Sequence, residues 1–309
     1  MNFDVRRRVI LILLFLFSTI ALASDKTSTI DNGIIRVGID LHHGGSISYI
    51  AESKTLENIV NTHDLGRFIG QSYYSGPKPY GHSNSKWKSW PWNPVSGGDV
   101  YGHPGKILAY SNDGKTIYVK VRPMQWALNS VECKCTFETW ISLDGFAVHV
   151  RNRLVNSRSD QTQYPAFNQE LPAVYTIGPL FRIVTYTGEH PYTHDALSWI
   201  NPVPPPWGHW TATEHWSALV NDQSWGLGVF HNNVTHFIGG FSGNPGIGDS
   251  SSSNTGYLSP ISREVIGPNA VFEYEYDLIV GNVDAIRNYV YSHHSGAHDK
   301  KEPASSVAP

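Results

Sequence analysis

Apolar side chains in this chain recur at every second position in short runs, and that period points to β-structure. Ile117, Val119 and Val121 alternate with Tyr118, Lys120 and Arg122, and Phe146, Val148 and Val150 alternate with Ala147, His149 and Arg151. Near the end, Phe272, Tyr274, Tyr276, Leu278 and Val280 alternate with Glu273, Glu275 and Asp277. Successive strand side chains point to opposite faces, so such runs read as antiparallel strands with one face buried and one wet. Further strands are expected at Ile34–Asp40, Ser46–Ala51, Lys106–Ser111, Leu180–Tyr186, Trp216–Val220, Gly226–Phe230 and Thr235–Phe241. Helical periodicity is confined to Val283–Tyr291. The expected class is all-β: an antiparallel β-sandwich or supersandwich with long aromatic-rich loops.

The length suits one such domain, because β-sandwiches reach ~250 residues without splitting. Its limits are set by the ends. Arg6, Arg7 and Arg8 precede an unbroken apolar run from Val9 to Phe17, and Ala21-Leu22-Ala23 follows as a small-x-small cleavage pattern. The run is shorter than the ~20 residues of a membrane span, which favours a cleaved signal peptide over residues 1–23 and a secreted product. No later stretch is apolar enough to span a bilayer, so no membrane association is expected after cleavage. Residues 24–292 are then a single β-sandwich domain, expected to be a monomer, and residues 293–309 a polar, disordered tail. The net charge of −3 and the lack of a basic patch exclude nucleic acid as an expected partner.

Cys133 and Cys135, the only cysteines, fall in an alternating run that places both sulfurs on one strand face. Bridging i and i+2 on a flat strand strains the spacing disulfides prefer, so two buried thiols are expected.

Two long segments, Asn61–Gly105 and His190–Thr213, lack a strand pattern, and long ordered loops commonly serve binding. Gly243–Thr255 is Gly/Ser-rich and is expected to be a mobile turn. The loops hold many of the aromatic residues. Tyr73, Tyr74, Tyr80, Trp87, Trp90, Trp92, Trp207 and Trp210 could offer faces on which sugar rings stack, or could instead plug the ends of the sandwich.

The densest polar cluster runs from Asn58 through His63, Asp64 and Arg67 and continues to Gln71-Ser72-Tyr73-Tyr74. Arg67 can clamp a carboxylate, with Asp64 orienting it or acting as base, or the two can form a structural pair. Glu170 sits in an apolar stretch, where desolvation raises a carboxyl towards general-acid use. Glu214 and His215 precede the strand at Trp216 and supply a second acid. His149, Arg151 and Arg153 share one strand face, either a solvated surface or the floor of an anionic-substrate cleft. No zinc, EF-hand, Rossmann, P-loop or nucleophile-elbow spacing occurs, so no metal or cofactor is expected. Asn233-Val234-Thr235 is a glycosylation sequon, consistent with export.

Four stretches together carry a family likeness: Gly44-Gly45-Ser46-Ile47-Ser48, Asp64-Leu65-Gly66-Arg67, Gln169-Glu170-Leu171-Pro172-Ala173, and the strand Tyr274-Glu275-Tyr276-Asp277-Leu278-Ile279-Val280-Gly281. They resemble the galactose-mutarotase-like β-supersandwich superfamily, in particular its secreted carbohydrate-active members. The resemblance implies sugar binding on a concave sheet face. Epimerases of that group use an Asn-His motif that this chain lacks, which speaks against plain mutarotase activity. Three readings follow. The first is a glycoside hydrolase with Glu170 and Glu214, joined by Asp64, as its carboxylates. The second is a polysaccharide lyase in which Arg67 or Arg151 neutralises a uronate while His or Tyr removes a proton. The third is a glycan-binding protein that works by stacking alone.

Overall fold

The computed structural model describes residues 27–81, 85–203 and 205–294. The expected signal peptide, most of the expected tail and Pro204 lie outside the described residues. In chain order the strands are β1 (Thr27–Asp31), β2 (Ile35–Asp40), β3 (Ser46–Glu52), β4 (Gly70–Ser72), β5 (Pro94–Val95), β6 (Lys106–Asn112) and β7 (Thr116–Arg122). There follow β8 (Met124–Gln125), β9 (Cys135–Asp144), β10 (Ala147–Asn156), β11 (Phe167–Ile177), β12 (Arg182–Thr185), β13 (Ser198–Ile200) and β14 (Trp207–Thr211). The last are β15 (Trp216–Val220), β16 (Trp225–Phe230), β17 (His236–Ser242), β18 (Thr255–Glu264) and β19 (Val271–Asn282), and one helix, α1 (Val283–His293), closes the chain.

Among the described residues these strands form three antiparallel sheets. A nine-stranded sheet runs β13-β12-β15-β16-β19-β10-β9-β7-β6, a seven-stranded sheet runs β14-β17-β18-β11-β4-β5-β8, and β1-β2-β3 makes a small third sheet. The alternation seen in the sequence is what builds the core. Ile117, Val119, Val121, Val148, Val150, Leu154, Tyr274, Tyr276 and Leu278 all face inward from the large sheet. They join one cluster with Tyr73, Trp92, Leu171, Val174, Phe237 and Leu258 of the opposite side. Each fully buried aliphatic or aromatic side chain contributes about 1.5–3 kcal/mol, so the inter-sheet layer dominates stability.

The hairpin between β9 and β10 turns on Gly145, whose φ of +54° suits a two-residue loop. The helix expected at Val283–Tyr291 is present and continues to His293, which moves that residue from the expected tail into ordered structure. Its Asn282 cap accepts the Ala285 N–H at 2.8 Å, and Ile286, Tyr289 and Val290 pack on Val184, Trp216, Phe230 and Ile279.

The cysteines depart from expectation, because Cys133 and Cys135 are disulfide-bonded. The flat strand assumed for them is absent: β9 begins only at Cys135, and Lys134 lies at a bend. That bend leaves the Cα atoms 5.1 Å apart, inside the range disulfides accept. The Gly/Ser-rich segment is tied to the Asn61–Arg67 loop. Its carbonyls at Ser250, Ser251, Ser252 and Ser253 receive bonds from Thr62, His63, Asn61 and Arg67.

Candidate functional site

The outer face of the seven-stranded sheet carries a cleft of about 490 Å³. Two aromatic walls border it. One is built from the loop before β5 and the turn after β8: Tyr74 meets Trp90 edge-on, Trp90 meets Trp87 with centroids 4.5 Å apart, and Trp87 meets Trp126 at 6.2 Å. Buried Asn93 fixes this wall, accepting from Trp90 Nε1 at 2.9 Å while its own Nδ2 donates to Ser72 Oγ and the Tyr73 carbonyl. Gly66 makes room for Trp126, since a Cβ there would stand 2.7 Å from the indole. The opposite wall comes from the strands themselves: Trp207 of β14, Tyr257 of β18 and Tyr175 of β11, with centroid spacings of 5.0 and 4.8 Å.

Glu170 joins the two walls. Its Oε1 accepts from Tyr257 at 2.5 Å and its Oε2 from Tyr74 at 3.1 Å. Burial raises its carboxyl above the ordinary glutamate range, and the two phenol bonds only partly oppose that. Burial and the neighbouring carboxylate push the Tyr74 and Tyr257 phenols far up, so both keep their protons. A register shift between Glu170 and Val174 explains how Glu170, Ala173 and Tyr175 reach the same cleft. Pro172 lacks an N–H for the ladder, and the extra residue of the bulge switches which positions face outward. Asp64 and Arg67 complete the lining as an ion pair at 3.2 Å, with Arg67 Nη1 also bonded to the Ser253 carbonyl and to Asn61.

The structure thus gathers Asp64, Arg67, Tyr74, Trp87, Trp90, Glu170 and Trp207 around one hollow. Other candidates lie elsewhere. Tyr73 and Trp92 are inter-sheet core with no face free for a sugar, and Trp210 is likewise buried, its Nε1 spent on Ser217. Tyr80 packs against that same core. Gln71 is buried between the sheets, donating to the Glu138 carbonyl and to Thr139 and accepting from Tyr73. His63 is tied to the Ser251 carbonyl and does not line the cleft.

Glu214 cannot pair with Glu170. It is wholly buried beneath α1, receiving Arg287 Nη2 at 2.8 Å and Nε at 3.1 Å, Tyr291 at 2.6 Å, Trp216 Nε1 at 3.0 Å and the Tyr192 N–H at 3.0 Å. Burial opposes its charge, but these bonds outweigh it and hold the carboxyl below the usual range. His215 stands beside it, its imidazole pushed down by burial. His149 and Arg151 border a separate hollow of about 340 Å³, which exposed Asn233 also lines. There His149 Nδ1 lies 2.8 Å from Asp277, and the Arg151 guanidinium covers Trp140 at 4.1 Å.

Trp126, Tyr175 and Tyr257 belong to the cleft but were not singled out as stacking residues from the sequence. Among the described residues no group of three or more His, Cys, Asp or Glu side chains could hold a metal ion.

No family model matches the chain, and a search of curated proteins returns no match. Solved structures do match in shape. A galactose mutarotase-like protein from Clostridium acetobutylicum superposes with a TM-score of 0.51 at 8% identity, over 82% of this chain and 95% of that one. A galactose mutarotase-like protein from Lactobacillus casei gives 0.50 at 10% identity, over 82% of this chain and 99% of that one. Likeness at such identity establishes the fold, and chemistry must come from the site.

Proposed function

From a galactose-mutarotase-like fold with an aromatic cleft around a desolvated carboxyl, we propose that the protein is a secreted glycoside hydrolase acting on an oligo- or polysaccharide. One observation carries this reading: Glu170 is held between two walls of indole and phenol, hydrogen-bonded to each. Aromatic faces stack on the C–H faces of sugar rings, and the raised Glu170 carboxyl is suited to protonate a leaving glycosidic oxygen. Asp64, which lines the same cleft and is held by Arg67, takes the second carboxylate role that Glu214 cannot fill. The phenols nearest Glu170 are donors, which argues against a lyase with a tyrosine base. The Cys133–Cys135 bridge fits an oxidising compartment, in keeping with export of the mature chain.

The test is a polysaccharide screen with the mature protein, read by new reducing ends and by ultraviolet absorbance. Hydrolysis gives reducing ends alone. Glu170→Gln is expected to lower kcat by roughly 10²–10⁴-fold, the usual worth of a general acid, at an unchanged melting temperature. Unaltered turnover in that variant, or products with unsaturated ends, would overturn the assignment.

A further inference from the structure

The aromatic cleft does not stop at Glu170. A second hollow of about 480 Å³ continues from it, and Tyr74, Trp90, Glu170 and Ile238 line both. Glu170 therefore stands at the partition between two compartments, the position a group acting on the bond between two sugar units must occupy.

The far compartment has a different chemistry. Beyond the shared Trp90 and Tyr74, its lining adds Phe167, Asn168, His209, Ile261 and Arg263. Strand register accounts for the grouping: Arg263 lies opposite Asn168, Ile261 opposite Glu170, and His209 opposite Ile238. Alternate residues share a face, so Asn168 and Glu170 on β11, and Ile261 and Arg263 on β18, project together. In the first compartment the guanidinium of Arg67 is paired with Asp64. Arg263 is exposed and has no ion-pair partner among the described residues. His209 shares a bond of 3.1 Å with His236 through Nδ1, which leaves its Nε2 available to a ligand.

Resting on the reading of Glu170 given above, we propose that this second compartment is a subsite for an anionic sugar unit. Its substrate straddles Glu170, with one ring stacked between the aromatic walls and an acidic unit, a uronate or a sulfated sugar, on the Arg263 side. A planar guanidinium matches either anion with two parallel hydrogen bonds. Asn168 and His209 supply further polar contacts to the same unit.

The experiment measures binding of three hexasaccharides to the full mature protein in a Glu170→Gln background: one of galacturonate, one of sulfated galactose, one of mannose. At 50 mM NaCl one of the anionic probes is expected to bind at least tenfold tighter than the mannose probe, and which one identifies the anion. Arg263→Gln is expected to collapse that ratio to within twofold of unity, as is 500 mM NaCl, because an exposed charge contact is screened by salt. Equal affinity for all three probes, or a preference that survives Arg263→Gln, overturns the anionic subsite. Trp90→Ala separates the two levels. If it weakens every probe while Arg263→Gln changes no preference, only the subsite fails. If no probe binds, or binding ignores Trp90→Ala, the cleft reading fails and the subsite with it.

Discussion

At Glu170, burial favours the neutral carboxyl while the bonds from Tyr257 and Tyr74 favour the charged one, and burial is the larger influence. A general acid works in its protonated form, so activity is expected to fall as pH rises through the raised value of Glu170. Tyr257→Phe deletes a bond that stabilises the carboxylate, and the basic limb of the kcat/KM profile should therefore move to higher pH. A downward move would show that the phenol has another role. Glu214 has the opposite sign. Its folded value is depressed, so its contribution to stability is complete above the ordinary glutamate value of 4.5 and is lost as pH falls through the folded value. Glu214→Ala leaves Arg287 buried without its partner and is expected to cost about 3–5 kcal/mol at neutral pH. Urea denaturation across pH should then show a shallower acid loss in the variant than in the wild type.

At the level of elements, the Asp64–Arg67 loop and the Trp126 turn fit together only because residue 66 has no side chain. Gly66→Ala would bring a methyl 2.7 Å from a rigid ring, so Trp126 has to move. Glycan affinity is expected to fall about tenfold, the worth of one stacking contact of ~1–1.5 kcal/mol, and titration calorimetry reads it directly. Elements with at least five alternating residues, such as β7, β10 and β19, were legible from period alone. The short strands β4, β5, β8 and β13 were not, since two or three residues show no period. Trp87 and Trp90 stand out in the sequence because they sit in a long segment without strand pattern, and Trp207 because the prolines before it hide the strand β14 that it opens. Tyr175 and Tyr257 sit inside strands, where an aromatic residue reads as core, and the bulge that turns Tyr175 outward leaves no pattern beyond a proline. Trp92 and Tyr73 are the converse case: they fall in a segment without strand pattern, yet backbone bonds from Tyr73 to Pro94 and from Ser75 to Trp92 hold both within the inter-sheet core. The cysteine bridge stayed hidden because a bend at Lys134 interrupts what reads as a continuous strand.

Across the whole molecule, binding chemistry and stabilising chemistry occupy different sheets. The cleft lies on the seven-stranded sheet, whereas the ion pair of Glu214 with Arg287 fastens α1 to the nine-stranded one. The two regions are joined through an inter-sheet core of packed side chains, and among the described residues no side chain is hydrogen-bonded both to Glu170 and to Glu214. Sites without shared partners behave additively, within about 0.3–0.5 kcal/mol. Arg287→Ala should therefore lower the melting temperature by about 6–20 °C, the range that 3–5 kcal/mol gives in a domain of this size, and leave kcat/KM at 25 °C intact. Trp90→Ala should do the reverse, reducing kcat/KM with a small change in melting temperature. The double variant should equal the sum of both in each measurement. A loss of kcat/KM in Arg287→Ala, or a double variant that departs from the sum, would mean that the core transmits strain from the helix to the cleft, and the division between the sheets would no longer stand.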